Sequence, residues 1–148
     1  MYNLILIIHN LLRWLVLIFG VLAVIRAFYG WFGKKARAEI DDRLGLGFTV
    51  SLDIQLLLGL LLYFFFSPIT RTAFQDFGAA MADADLRFFA VEHILMMVIA
   101  VVLVHIGRAL SRRADSDAGK HKKAAIFFTL GLLVVLAAIP WSRALLPF

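Results

Sequence analysis

Glu92, His93, His105 and Arg108 interrupt residues 88–110 (FFAVEHILMMVIAVVLVHIGRAL), a stretch otherwise apolar enough to cross a membrane. A second apolar stretch, residues 4–28, carries His9 and Arg13. Ionisable side chains inside membrane segments are costly and mark a functional site by default. Imidazole suits iron, so His9 and His93 are candidate axial ligands of a haem b. Arg13 lies one helical turn from His9, where its guanidinium suits a haem propionate. The same residues also fit a cofactor-free clasp. In that arrangement Glu92 pairs with Arg13, and the two histidines stay neutral and hydrogen-bonded. A quinone headgroup or a proton site is the third chemistry that a histidine, a carboxyl group and a guanidinium at one depth can serve.

The elements that must position these groups are legible from composition. The chain has 148 residues, of which 63% are hydrophobic, against about 45–50% for soluble domains. Its mean hydropathy is +0.92. The apolar surplus is blocked into four runs, residues 4–28, 46–66, 86–110 and 124–141. Each is near the roughly 20 residues that span a hydrocarbon layer as a helix. The expected architecture is all-α: a single domain over residues 1–148, an integral membrane four-helix up-down bundle. Asp41 or Asp42 is placed to cap the second helix, and Asp83 or Asp85 the third. In the connection between the second and third runs, Ala73, Phe74, Phe77, Ala80 and Met81 share one helical face. A short interfacial helix and a plain loop both fit there.

Orientation follows from lysine and arginine. Arg26, Lys34, Lys35, Arg37 and Arg43 follow the first run, and Arg108, Arg112, Arg113, Lys120, Lys122 and Lys123 follow the third. The opposite side has only Arg71, Arg87 and Arg143. The bias places both basic loops in the cytoplasm and both termini outside. The formal charge of +5 therefore reports topology, and nucleic acid is not an expected partner; the lipid bilayer is. The first run lacks a basic leading segment and carries His9 and Arg13, so it reads as a span and not as a cleaved signal peptide.

In this frame residue number becomes depth, at about 1.5 Å per residue. His9 and His93 fall at nearly the same level, roughly 10 Å below the outer surface, and Arg13 and Glu92 complete an outer cluster. Helices one and three are diagonal in a simple bundle, with axes roughly 14 Å apart when neighbours are about 10 Å apart. That leaves room for a porphyrin between the two histidines. Arg26, Asp53, Gln55, His105 and Arg108 form a looser inner group, in which Asp53 pairs with Arg26, Arg108 or His105. His93 and His105 do not share a helix face, so two stacked cofactors are not expected. His121, in GKHKKA, reads as solvated or near lipid headgroups, and Met96 and Met97 read as packing. There is no cysteine, which excludes disulfides, thiolate metal sites, iron–sulfur clusters and covalent haem attachment. No hydrolase or phosphate-loop motif is present.

HNLLRW (residues 9–14), DIQLLLGLLLYFFFSP (53–68), RFFAVEH (87–93), KHKK (120–123) and IPW (139–141) together resemble a family of small bacterial four-span membrane proteins labelled cytochrome b-like. The resemblance runs along nearly the whole chain. It implies a b-type haem, electron transfer and a place in the bacterial inner (cytoplasmic) membrane. Many members carry histidine where this chain has Asp53, which leaves His9 and His93 as the ligand pair. The resemblance also suggests other membrane redox subunits as partners. On that view the chain is a cofactor-free accessory subunit of a quinol-oxidising respiratory or photosynthetic complex similar to alternative complex III. Topology has a direct test. Single cysteines near Lys35 or Lys120 should be shielded from an impermeant thiol reagent in intact cells, and one near Asp76 should be labelled; the reverse pattern inverts the depth assignments.

Overall fold

Buried residues recur along each long helix at spacings of three and four, the signature of a narrow inward seam. In α1 (Tyr2–Phe32) the seam is Arg13, Val16, Gly20, Ala23, Ala27 and Gly30. In α2 (Glu39–Leu61) it runs through Asp41, Gly45, Phe48, Leu52 and Gln55. The computed structural model describes residues 1–143 and is all-helical over its long elements. Three short helices follow α2: α3 (Pro68–Gln75), α4 (Phe77–Ala82) and α5 (Ala84–Arg87). Two more long ones complete the fold, α6 (His93–Arg113) and α7 (Asp117–Ala138). Four helical stretches are long and apolar enough to cross a membrane: Tyr2–Phe32, Glu39–Phe66, Ala84–Arg113 and Asp117–Ala138.

The seams meet pairwise. α1 packs on α2 and α7, α6 packs on α7 and, more sparsely, on α2. Lipid offers no hydrophobic drive between helices, so close fit must hold them. Phe48 and Phe128 meet edge to face at 5.8 Å in the centre, with Val16, Leu52 and Val104 buried around them. Glycines permit the approach at several levels. A Cβ on Gly47 would lie 2.6 Å from the Phe19 ring, and one on Gly131 would lie 2.5 Å from Val104 Cγ2.

Helix ends follow local polar chemistry. α2 begins where Asp41 Oδ2 accepts from the Ala38 amide at 2.9 Å while Oδ1 accepts from Arg26 Nε at 2.9 Å. Asp41 thus both caps a helix and ties it to α1. Asp76 and Asp83 cap α4 and α5, accepting from Ala79 and Leu86 amides at 2.9 Å each. The connection between residues 67 and 85 is therefore neither one interfacial helix nor a plain loop. Asp76 breaks it in two, Ala73 and Ala80 are buried, and Phe74 and Phe77 stack on each other half-exposed.

Two local expectations change. α7 starts well before residue 124, because Ser116 Oγ accepts from the Gly119 amide at 3.1 Å and nucleates the helix there. That start puts His121 on the seam. It is fully buried, wedged against Gly30 of α1, and is not solvated. Both of its ring nitrogens lack a hydrogen-bond partner.

The glycine packing generates a stability prediction. A methyl on Gly107 would collide with Phe127 Cβ, the stiff root of that side chain. Gly107→Ala should cost about 1–3 kcal/mol, read as a lowered unfolding temperature in detergent. Gly78→Ala, which meets only Asp76 Oδ1 at 3.6 Å, should be neutral or slightly stabilising.

Candidate functional site

Near the outer expected end, the chain departs twice from regular helix. α2 continues through a π-turn, Leu62–Phe66, and α5 joins α6 through another, Phe88–Glu92. π-Turns widen the hydrogen-bond spacing to i→i+5 and recur at functional sites. Here the two are fastened together: Tyr63 Oη donates to the Ala90 carbonyl at 2.7 Å. Thr70 Oγ1 donates to the Tyr63 carbonyl at 2.8 Å, so the short helices close over the same point.

His93 follows the second π-turn directly and lies on the α6 seam. Its Nδ1 lies 2.8 Å from the carbonyl oxygen of Ala138. The acceptor is available because α7 ends there. Pro140 has no N–H to continue the helix, so carbonyls in the last turn lose their usual donors. Trp141 Nε1 donates to the Leu136 carbonyl at 2.9 Å, and His93 serves Ala138. The IPW motif thus shapes the site: proline frees two carbonyls, and an indole and an imidazole take them.

His9 faces His93 from α1. The ring centroids are 6.5 Å apart and the planes are inclined by 65°. Gln55 Nε2 donates to the His9 carbonyl at 3.0 Å. One turn on, Gly59 leaves room for the His9 ring, since a Cβ there would lie 3.3 Å from Cε1. His9 Nδ1 and Gln55 Oε1 are enclosed without a hydrogen-bond partner. His9, His93, Gln55, Gly59 and Met97 line one cavity of about 610 Å³, within the usual range for small-molecule sites of about 300–1,000 Å³. Arg13 lines it as well and is buried, its guanidinium 6.0 Å from the Trp14 ring centroid.

Of the outer cluster expected from sequence, His9, Arg13 and His93 converge on the cavity and Glu92 does not. Glu92 accepts from Arg87 Nε at 2.7 Å. The clasp with Arg13 is therefore not made, because the π-turn that ends at Glu92 turns its carboxylate toward the preceding helix. Gln55, grouped with the inner residues by depth, belongs to this site. Arg143 was missed: it lines the cavity with its guanidinium 4.4 Å from the Phe89 ring centroid. Its only sequence signal was its place just beyond IPW. In the inner group, His105 Nε2 lies 2.8 Å from Asp53 Oδ1, one of the pairings expected. Arg26 is instead bonded to Asp41.

The ligand set restricts what the cavity can hold. Among the described residues there is no group of three or more His, Cys, Asp or Glu placed to bind a metal ion. Two imidazoles fall short of the four ligands that a structural zinc takes. They match a metal whose carrier brings the remaining donors, as a porphyrin does. Two imidazoles sharing one ion through bonds of about 2 Å would have centroids roughly 6 Å apart, close to the spacing here. No family model, curated protein or solved structure matches this chain.

The Tyr63 fastening gives a test of the site's frame. Tyr63→Phe would remove this bond and should cost about 0.5–1.5 kcal/mol. Unfolding in detergent would show it, and an unchanged melting temperature would mean the two π-turns do not depend on this bond.

Proposed function

We propose that this chain is a b-type cytochrome-like electron-transfer protein or subunit, with a haem b held between His9 of α1 and His93 of α6. The observation that carries the reading is the pair of facing imidazoles across a mostly apolar cavity, with Nδ1 of His93 anchored to the Ala138 carbonyl. Metal-binding histidines are oriented by such a bond through the other nitrogen, which leaves Nε2 for the metal. His9 and His93 would hold the iron, which when bound supplies one-electron transfer. Arg13 and Arg143, both on the cavity wall, supply the positive charge that suits the two propionates. Leu56, Met97 and Val135 give the cavity an apolar wall, which suits a macrocycle's face. Gln55 holds the His9 backbone, and Gly59 gives its ring space.

The four spans are read as an up-down bundle with both termini outside, in a bacterial inner membrane, on the lysine and arginine bias. Packing of α1 and α6 each against both α2 and α7 supports that arrangement. The second reading is a cofactor-free accessory subunit of a quinol-oxidising complex. It is favoured by the same His93–Ala138 bond, which fixes helix register whether or not iron is present. A quinone headgroup is the other occupant that an apolar cavity with histidine and arginine suits.

The test is spectroscopic. Wild-type protein, expressed with haem supplied and purified in mild detergent, should show a reduced-minus-oxidised b-type difference spectrum. His9→Ala and His93→Ala should each abolish it, and His105→Gln should leave it intact. A colourless wild-type protein sinks the haem reading. Quinol binding by that colourless protein would then favour the second.

A further inference from the structure

The exposed ion pairs Arg87–Glu92 and Glu39–Arg43 lie at the ends of their spans, but one exposed ionisable pair lies well inside. Asp53 and His105 bridge α2 and α6 at 2.8 Å, with 39% and 50% of their side chains exposed. Each lies one residue off its helix's seam, beside Leu52 and Val104, which are buried. Asp53 sits at the middle of the span Glu39–Phe66, and His105 about two turns from the end of the span at Arg113. Both are therefore at hydrocarbon depth on the outer surface of the packed helices. Each keeps a second polar atom, Asp53 Oδ2 and His105 Nδ1, that no described residue hydrogen-bonds. Lipid tails cannot fill that role, and ionisable residues at such depth face protein or water.

We infer that this α2–α6 face docks a second copy of the chain, with Asp53 and His105 at the two-fold axis. The pair is self-complementary. With Nδ1 carrying a proton, the pair offers one remaining donor, His105 Nδ1–H, and one remaining acceptor, Asp53 Oδ2, so a two-fold operation sets the donor of each copy against the acceptor of the other. The four groups then close a ring of hydrogen bonds in which every donor finds an acceptor. Such reciprocity is the defining property of a C2 interface. The flanks suit it: Val50 and Leu57 on α2 and Val102 on α6 lie one turn from the pair, Val98 lies two turns away, and all four are exposed and apolar. α2 and α6 are also the most sparsely packed of the neighbouring long helices, so the groove between them is open to another helix. The inference does not depend on what fills the cavity between His9 and His93.

Because the chain has no cysteine, a single introduced thiol reports alone. In native membranes, oxidation of Leu57→Cys should give a disulfide-linked dimer. Leu133→Cys, on α7 and similarly exposed, should not. In detergent or nanodiscs, Asp53→Leu with His105→Leu should weaken dimerisation roughly tenfold, whereas the exchange Asp53→His with His105→Asp should retain it. Equal cross-linking at Leu133, no cross-linking at Leu57, or an undiminished dimer in the double leucine variant would each overturn the proposal. Should that variant lose helix content, the cross-linking pair decides the matter in otherwise native chain.

Discussion

Inside a bilayer there is no water to satisfy a backbone group that leaves the helical ladder, so each irregularity must recruit a protein donor. This constraint builds the end of the molecule that holds the cavity. Pro140 ends α7 and frees the carbonyls of Leu136 and Ala138; Trp141 and His93 take them. The π-turn at Phe88–Glu92 leaves the Ala90 carbonyl to Tyr63, which stands in the other π-turn. Thr70 returns to the Tyr63 carbonyl. Three of the four side chains that satisfy broken backbone, Tyr63, Thr70 and His93, also line the cavity. Their orientation is set by backbone bonds worth more in this medium than exposed side-chain contacts.

The other half of the structure follows from packing without a hydrophobic drive. The inward seams are rich in glycine and alanine, and α1, α2, α6 and α7 are held at close range by them. The cavity opens at one level, where His9 and Arg13 of α1, Gln55 and Gly59 of α2 and His93 of α6 all stand on or beside the seam. Below that level Phe48, Phe128 and Val104 fill the centre.

Much of this was legible in the sequence, for physical reasons. Four apolar runs of spanning length dictate four helices, and depth counting alone put His9 and His93 at one level. The three-and-four spacing also places both on inward faces, and it sets Asp53 and His105 one residue outside theirs. The failures have one origin, the exact course of the backbone near helix ends. Nothing in RFFAVEH signals an i→i+5 turn, so Glu92 was expected at Arg13 and instead meets Arg87. Ser116 caps α7 early, and this moved His121 from the solvated edge into the core. Arg143 reaches the cavity only because the chain stops being helical at Ile139.

Unpaired buried polar atoms by themselves do not mark a site, and His121 makes the contrast. Both of its ring nitrogens are unpartnered, yet the ring is wedged against Gly30 and does not line the cavity. Its imidazole ring acts as a flat filler at a close helix approach. His9 Nδ1 and the Gln55 amide oxygen are likewise without a partner among the described residues, but their residues line the cavity. A pure register lock would be expected to spend its polar atoms on one another and to close the space between them. His93 spends Nδ1 on the Ala138 carbonyl and still lines the cavity, and an imidazole held through one nitrogen keeps the other for whatever faces it.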